Sequence, residues 1–336
     1  METWDLLRQV WFLLIGVLLA GYSILDGFDL GVGVLFPFLA KNEDEKRSLI
    51  RSIGPVWDGN EVWLLTGGGA LFAAFPHAYA TVFSGFYLAL MLVLFSLILR
   101  AVSLEFRAHD PARKGLWEGT FIAGSFLPGL LFGVALGNVV VGVPIDAQME
   151  YAGNFFTLLR PLPLVFGLLG LTAFLLHGST WAALKTSGLL QQKARKTARA
   201  MRVVVGVLYL LSFFAVWIYL PDALKRIPAW IFTVLILAAL ACLGPVIKRG
   251  KDGLAFALSS AVFLCLWGVV GAVHYPNLVR AKDPSLSLTI TNASSSALTL
   301  KVMLIIALVG MPLVIGYTIY AYRVFKGKVE LDGPGY

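Results

Sequence analysis

Nine apolar runs, each long enough to cross a lipid bilayer, constrain what this chain of 336 residues can fold into. A bilayer core of about 30 Å requires roughly 20 apolar residues per helix, and a helix satisfies its own backbone hydrogen bonds inside lipid. We therefore predict one all-α integral membrane domain over residues 1–336, with two four-helix bundles plus one peripheral helix. The nine predicted helices cover residues 9–39, 55–75, 79–104, 118–144, 161–184, 203–221, 229–247, 254–275 and 300–323.

The composition also favours a membrane protein. Only 14% of the residues are charged, whereas about a quarter of the residues of a soluble domain are charged. The net charge of +8 is spread over short loops and does not form one patch, which argues against nucleic-acid binding. Cys242 and Cys265 lie inside apolar runs, so we expect buried, unreactive thiols and no disulfide framework. The first run lacks a small-residue cleavage site and is expected to be a retained helix.

The distribution of basic residues predicts the orientation of the chain. Of the 27 lysines and arginines, 20 fall in loops on one side of the predicted bundle. The positive-inside rule makes that side cytoplasmic. We therefore expect the N-terminus outside, the C-terminus inside, and a multi-pass protein of the bacterial cytoplasmic (inner) membrane.

Two pairs of acidic residues interrupt the first two apolar runs. Asp26 and Asp29 are three residues apart, as are Asp58 and Glu61, and a helix brings such positions to one face. An acid at the centre of a membrane helix costs about 2.5–3.5 kcal/mol, so these side chains should be sheltered from lipid. The predicted orientation places both pairs in the cytoplasmic half of the bundle.

The third run ends in two further charged residues at the same depth, Arg100 and Glu105. We expect the five carboxylates to converge there, with Arg100 as their charge partner. One interpretation is structural: the acids pair with Arg100 and fix the bundle. The other is functional, because carboxylates that share a poorly hydrated site raise one another's pKa and can hold or relay protons.

Histidine and tryptophan give weaker signals. The four histidines, His77, His109, His177 and His274, are spread over different depths, and we expect loop or interface positions without metal ligation. A haem typically needs axial His or Met ligands, so the chain is expected to bind no metal and no cofactor. Trp57 falls where an interfacial anchor is expected. Trp63 lies deeper and is predicted to pack in the bundle or line a cavity.

Two long segments carry a resemblance to a known family. Residues 21–33 (GYSILDGFDLGVG) and 54–76 (GPVWDGNEVWLLTGGGALFAAFP) resemble subunit II of the cytochrome bd quinol oxidases, including the cyanide-insensitive branch. The resemblance continues through residues 83–87, 153–156 and 292–295 and so covers nearly the whole chain. One difference is the loop over residues 220–228, which is shorter than in some members with longer chains.

The resemblance implies a haem-free subunit of an oxidase that reduces dioxygen to water with quinol as the electron donor. Haems b and d would belong to a larger partner, subunit I. Small accessory subunits and membrane lipid or quinone would be further partners. The acids that match the family are Asp26, Asp29 and Asp58, with Glu105 after the third helix. Trp63 matches a position associated with the passage of dioxygen, and Trp57 flanks the same motif.

A secondary transporter is the alternative from a different class. Its acids would bind a proton or cation at a midplane site between broken helices. The acids of this chain lie nearer one membrane face than the centre, which favours the oxidase subunit.

Overall fold

The computed structural model describes residues 3–221 and 225–330, and these are almost entirely helical. Eight helical segments among them are long and apolar enough to cross a membrane. The α-helices are α1 (Thr3–Leu25), α2 (Gly27–Leu39), α3 (Glu43–Ile53), α4 (Trp57–Ala74), α5 (Pro76–Gly85), α6 (Tyr87–His109), α7 (Lys114–Val141), α8 (Pro161–Lys185), α9 (Gly188–Tyr219), α10 (Ile227–Lys248), α11 (Asp252–His274) and α12 (Ala297–Val324).

Two of the predicted spans are interrupted. Asp26 separates α1 from α2, and Phe86 separates α5 from α6. Each interruption is a single residue, and the helical bonding continues across it: the Asp26 N–H donates to the Tyr22 carbonyl, and the Leu30 N–H donates to the Asp26 carbonyl. Hydropathy does not reveal such breaks, because the flanking residues remain apolar.

Two further boundaries differ from the prediction. The segment between the first two predicted spans contains the helix α3. Its first turn contains three acids, and its Asn42 N-cap accepts from the Glu45 N–H. Helix α9 begins at Gly188, well before residue 203, because a basic, water-soluble stretch extends it. Part of the short loop over residues 220–228, namely 222–224, lies outside the described residues.

Helix α4 is the predicted second span, but it is not among the eight apolar segments. It has 18 residues and contains Asp58, Asn60, Glu61 and three successive glycines, which lower its hydropathy. The count of nine membrane helices therefore stays a prediction.

Helices α8 to α11 form a closed group in which each contacts the next and α11 returns to α8. Their buried side chains form the largest apolar cluster, which includes Leu176, Val205 and Ile236. Helices α2 and α8 approach closely at Gly31 and Gly178. A Cβ atom on Gly31 would overlap the Phe174 carbonyl oxygen, so this contact requires a residue without a side chain.

The two ends of the bundle differ. One end, here called the hairpin end, carries the antiparallel strands β1 (Asn277–Val279) and β2 (Leu288–Thr289). Ser295 ties this loop to α4, since its N–H donates to the Ala74 carbonyl at 2.9 Å. The opposite end carries α3 and is called the α3 end. A second apolar cluster, with Phe28, Leu49 and Trp181, lies there.

Candidate functional site: a buried charged cluster

Arg100 is the centre of a charged cluster inside the bundle. Its side chain is fully buried and touches two carboxylates. Nη2 lies 2.8 Å from Oδ1 of Asp26 and Nη1 lies 3.3 Å from Oδ2, so the guanidinium contacts both oxygens of that acid. Nη1 also lies 2.8 Å from Oε1 of Glu61, and Nη2 lies 3.9 Å from Oδ2 of Asp29. Paired, bidentate contacts of this kind are the strong ones.

The local sequence explains how these groups meet. Asp26 lies at the interruption between α1 and α2, and Asp29 lies in the first turn of α2, where a helix favours negative charge. Arg100 reaches them from α6. Helix α7 packs directly behind it, since a Cβ atom on Gly124 would lie 2.9 Å from Cβ of Arg100. The cluster is therefore enclosed by helices.

Asn60 and Tyr322 extend the cluster on the side of Asp29. Nδ2 of Asn60 lies 2.7 Å from Oδ2 of Asp29, and the Tyr322 hydroxyl lies 3.0 Å from Oδ1 of Asn60. Within the described residues, Oδ1 of Asp29 is buried and has no hydrogen-bond partner. We define the buried cluster as Asp26, Asp29, Asn60, Glu61, Arg100 and Tyr322.

The buried cluster contains three carboxylates but one guanidinium. Asp26 and Asp29 are fully buried, and the Glu61 side chain is 23% exposed. A buried charge without a partner is strongly destabilising, and interacting carboxylates share protons as a group. This arrangement can therefore store protons, and Glu61 is the member with access to the exterior.

The other predicted acids do not join the buried cluster. Asp58 and Glu105 are exposed in the chain by itself. A helix places Asp58 and Glu61 on one side, but the inward position of α4 is taken by Asn60, which is buried. The sequence did not identify Asn60 and Tyr322 as site residues, because uncharged polar residues in or beside apolar runs have many roles.

The two tryptophans near the motif differ in their packing. Trp63 covers Gly21 of α1, where an added Cβ atom would lie 2.5 Å from the indole ring. Trp57 is half-buried against the apolar cluster at the α3 end. Both contacts are packing contacts within this chain.

A second polar network lies at the α3 end. Arg107 contacts Glu43 at 3.0 Å and Glu118 at 2.8 Å, and Lys46 contacts Glu118 at 2.7 Å. Burial raises the pKa of Glu43, but the Arg107 and Lys114 side chains beside it together outweigh this effect, so that the pKa is lowered overall. These pairs join α3 to α6 and α7 and brace the helices around the buried cluster.

We predicted loop or interface positions for all four histidines, and two of the four are instead buried in the bundle. His77 and His109 are exposed, but His177 and His274 are buried. Both ring nitrogens of His177 are engaged, Nδ1 with Ser259 and Nε2 with the Ile24 carbonyl. Within the described residues, no three His, Cys, Asp or Glu side chains form a group that could hold a metal ion. With both ring nitrogens engaged, His177 has none free to ligate a haem iron.

The cysteine prediction is wrong for Cys242, which is exposed, and Cys265 is half-buried. The apolar run of α10 continues around the whole helix, so the sequence does not show which face packs inward.

Comparison with known proteins identifies the family. A family model described as cytochrome bd terminal oxidase subunit II matches residues 7–325. The chain is 36% identical to a cytochrome bd-I ubiquinol oxidase subunit 2 of Escherichia coli K12, with 99% of this chain and 97% of the relative covered. It is 38% identical to a cytochrome bd ubiquinol oxidase subunit 2 of Bacillus subtilis 168, with 98% of each covered.

A solved structure shows the same fold. The bd oxidase of Geobacillus thermodenitrificans contains a chain that matches with a TM-score of 0.80 at 17% identity, covering 95% of this chain and 98% of that one. The family match spans nearly all of the sequence, and the chain belongs to the cytochrome bd terminal oxidase subunit II family.

Proposed function

We propose that this chain is the haem-free membrane subunit II of a bd-type terminal oxidase, which couples the oxidation of quinol to the reduction of dioxygen to water. The relatives from Escherichia coli and Bacillus subtilis are named as ubiquinol oxidase subunits and match over nearly their whole length. The haem-bearing partner, subunit I, carries haems b and d, which supply the electron transfer and dioxygen chemistry. Quinol is a substrate of the complex. None of these comparisons supports a self-contained transporter.

The buried cluster is the observation that carries a role for this chain in proton supply. Asp26 and Asp29 are fully buried beside Arg100, and their carboxylates outnumber the available positive charge. Protons held there balance the charge that electrons bring to a neighbouring redox centre. Glu61 exchanges protons with the exterior, because its side chain is partly exposed.

Asp58 and Glu105 extend this route toward the α3 end. Asp58 lies one turn from Glu61 on α4, and Glu105 lies five residues beyond Arg100 on α6. Trp57 and Trp63 remain candidates for packing against the partner or for the passage of dioxygen. The contact between Trp63 and Gly21 favours packing.

The finer architecture is part of the proposal. Helix α4 is the ninth membrane helix, α8 to α11 form one four-helix bundle, and α1/α2, α4, α5/α6 and α7 form the other. Helix α12 is peripheral, since Leu300 is its one buried residue among those described. The N-terminus lies outside and the C-terminus lies in the cytoplasm of the bacterial cell. Accessory subunits, lipid or quinone cover the exposed apolar faces.

The test uses Asp26→Asn and Glu61→Gln in the complete oxidase, with Asp44→Asn as a control. Asp44 is an exposed acid on α3 outside the buried cluster. Haem absorption measures assembly, and dioxygen consumption with quinol measures turnover. A role in proton supply predicts that both cluster variants retain haem but lose turnover. A purely structural role predicts that haem and turnover fall together, and unchanged haem and turnover in both variants would show that the cluster does neither.

A further inference from the structure

The three carboxylates of the buried cluster face a single guanidinium, so their charges are not balanced. Asp26 contacts both Nη atoms of Arg100, and Glu61 contacts Nη1 at 2.8 Å. Asp29 is the carboxylate farthest from the guanidinium, at 3.9 Å, and it is fully buried. If all three acids were ionised, the buried cluster would hold two more negative charges than positive ones. The carboxylate that most needs a proton is therefore Asp29.

The direction of the hydrogen bonds shows which oxygen is free to carry that proton. The Tyr322 hydroxyl donates to Oδ1 of Asn60, because an amide oxygen only accepts. Nδ2 of Asn60 must then face Asp29, and it donates to Oδ2 at 2.7 Å. Oδ2 acts as an acceptor, while Oδ1 has no partner in the described part of the chain.

We infer that Asp29 is held as a neutral carboxylic acid with its proton on Oδ1, and that Tyr322 is a positioning residue that selects this oxygen by fixing the amide of Asn60. The inference deepens the proposed function and rests on it for the link to turnover. We assign a proton, and not a metal ion, to Oδ1 of Asp29, because the described residues offer no group of ligands for a metal.

The end of α12 that carries Tyr322 is held against α8. The Tyr322 ring lies 6.0 Å from that of Trp181 on α8. The segment that follows α12 is tied to the same helix, because the Val329 N–H donates to the Lys185 carbonyl at 2.8 Å and Lys185 Nζ contacts the Phe325 carbonyl. These contacts fix the direction in which the hydroxyl reaches the buried cluster, although α12 is otherwise almost entirely exposed.

The titratable and charged groups that surround Asp29 come from four other helical segments. Asn60 and Glu61 lie on α4, and Arg100 lies on α6. Among the residues that the structure describes, the charged or titratable neighbours are Tyr22 of α1, Asp26 at the α1/α2 boundary, Glu61, Arg100 and Tyr322 of α12. His177 of α8 faces Ile24 and Ser259 instead.

Infrared difference spectra of the purified complex, recorded between acid and alkaline pH, test the inference. A protonated carboxylic acid has a C=O band distinct from those of a carboxylate. We expect the wild type to show one such band that is lost in Asp29→Asn. Tyr322→Phe frees the amide of Asn60 to rotate and shifts the band. Tyr320→Phe is the matched control and leaves the band in place, since Tyr320 is an exposed tyrosine on the same helix.

Asn60→Leu provides a second test with the same infrared measurement. It removes the Nδ2 donor while Tyr322 is intact, so we expect the C=O band of Asp29 to shift relative to the wild type. Adding Tyr322→Phe to Asn60→Leu causes no further shift, because Tyr322 acts through Asn60. Haem absorption confirms assembly of each variant.

Three outcomes overturn the inference: no band that depends on Asp29, an unshifted band in Tyr322→Phe, or displacement of the wild-type band by sodium or potassium ions, which would identify a cation as the occupant. A different result would contradict the proposed function and leave the inference about Asp29 intact. If Asp29→Asn lost the band but kept full quinol oxidase turnover, the proton would be present without a role in proton supply.

Discussion

Nε2 of His177 donates to the Ile24 carbonyl oxygen at 2.9 Å, two residues before the interruption at Asp26. The imidazole is fully buried, and its Nδ1 lies 2.7 Å from Oγ of Ser259 on α11. One side chain of α8 thus joins α11 to the part of α1 that leads into the buried cluster. The contact holds the end of α1 against α8 two residues before Asp26.

We expect His177→Leu to destabilise the complex. The change leaves the Ile24 carbonyl and the Ser259 hydroxyl with one partner fewer in a buried region, and an unsatisfied buried group costs about 1–3 kcal/mol. Thermal unfolding followed by loss of haem absorption measures the effect. His77→Leu is the control, because His77 is exposed. Equal unfolding temperatures for the two variants would contradict a structural role for His177.

Replacing Arg100 should have a larger effect than replacing any one acid. Arg100→Met leaves Asp26 and Asp29 buried without a positive partner, and breaking a buried ion pair typically costs about 3–5 kcal/mol. We expect little assembled complex in the membrane, measured as haem per unit of this chain. Arg100→Lys recovers part of it, since one ammonium cannot match the fork that contacts both Asp26 and Glu61. Arg113→Met serves as the control because its side chain is 71% exposed, and normal assembly of Arg100→Met would contradict the charge argument.

The sequence predicted the charged part of the buried cluster but not its neutral part. Asp26, Asp29, Glu61 and Arg100 stand out, because a charge in an apolar run is costly and must be sheltered. Asn60 has no charge and so carries no such cost. Its position beside Glu61 in the sequence does not reveal that α4 turns Asn60 toward α2 and leaves Asp58 exposed. Spacing places residues on one side of a helix, but only the packed neighbours determine which residue points inward.

Hydropathy also explains what could be predicted of the fold. Long apolar runs fix where helices cross lipid, so α8, α10, α11 and α12 begin and end close to the predicted residues. The break at Phe86 leaves no trace in hydropathy, and the acids at 26 and 29 mark a polar site without indicating that the helix is interrupted there. Helix α3 was missed since it is short, charged and held by ion pairs to Arg107 and Lys193.

The contact between α2 and α8 predicts a strong effect for a small substitution. Gly31→Ala places a methyl group onto the Phe174 carbonyl oxygen, so the two helices must separate. Overpacking of this kind typically costs about 1–3 kcal/mol. We expect a lower unfolding temperature and a lower haem content. Gly16→Ala is the control: within the described residues, no atom beyond the adjacent residues and the local helix backbone lies within 4 Å of the added Cβ atom. If Gly31→Ala behaved like Gly16→Ala, the close approach of the two helices would be wrong.

Glu45 predicts a pH dependence of stability at the α3 end. Its side chain contacts Lys193 Nζ at 2.7 Å and the Lys41 N–H at 2.7 Å. Burial raises the pKa of Glu45, but these two partners outweigh it, so that the pKa lies below its ordinary value of 4.5.

A lowered pKa in the folded state contributes stability above pH 4.5, and this contribution is lost as the pH falls through the folded value. We therefore expect the free energy of unfolding of Glu45→Gln at pH 7 to be lower than that of the wild type, by about 0.5–1 kcal/mol after allowance for solvent screening. Thermal unfolding measures the difference. The difference should shrink as the pH falls below 4.5 and vanish at a pH low enough to protonate the wild-type carboxyl as well. Asp44→Asn on the same helix should show no such difference at either pH. A gap between Glu45→Gln and the wild type that did not shrink at any acidic pH would mean that Glu45 acts through packing and not through its charge.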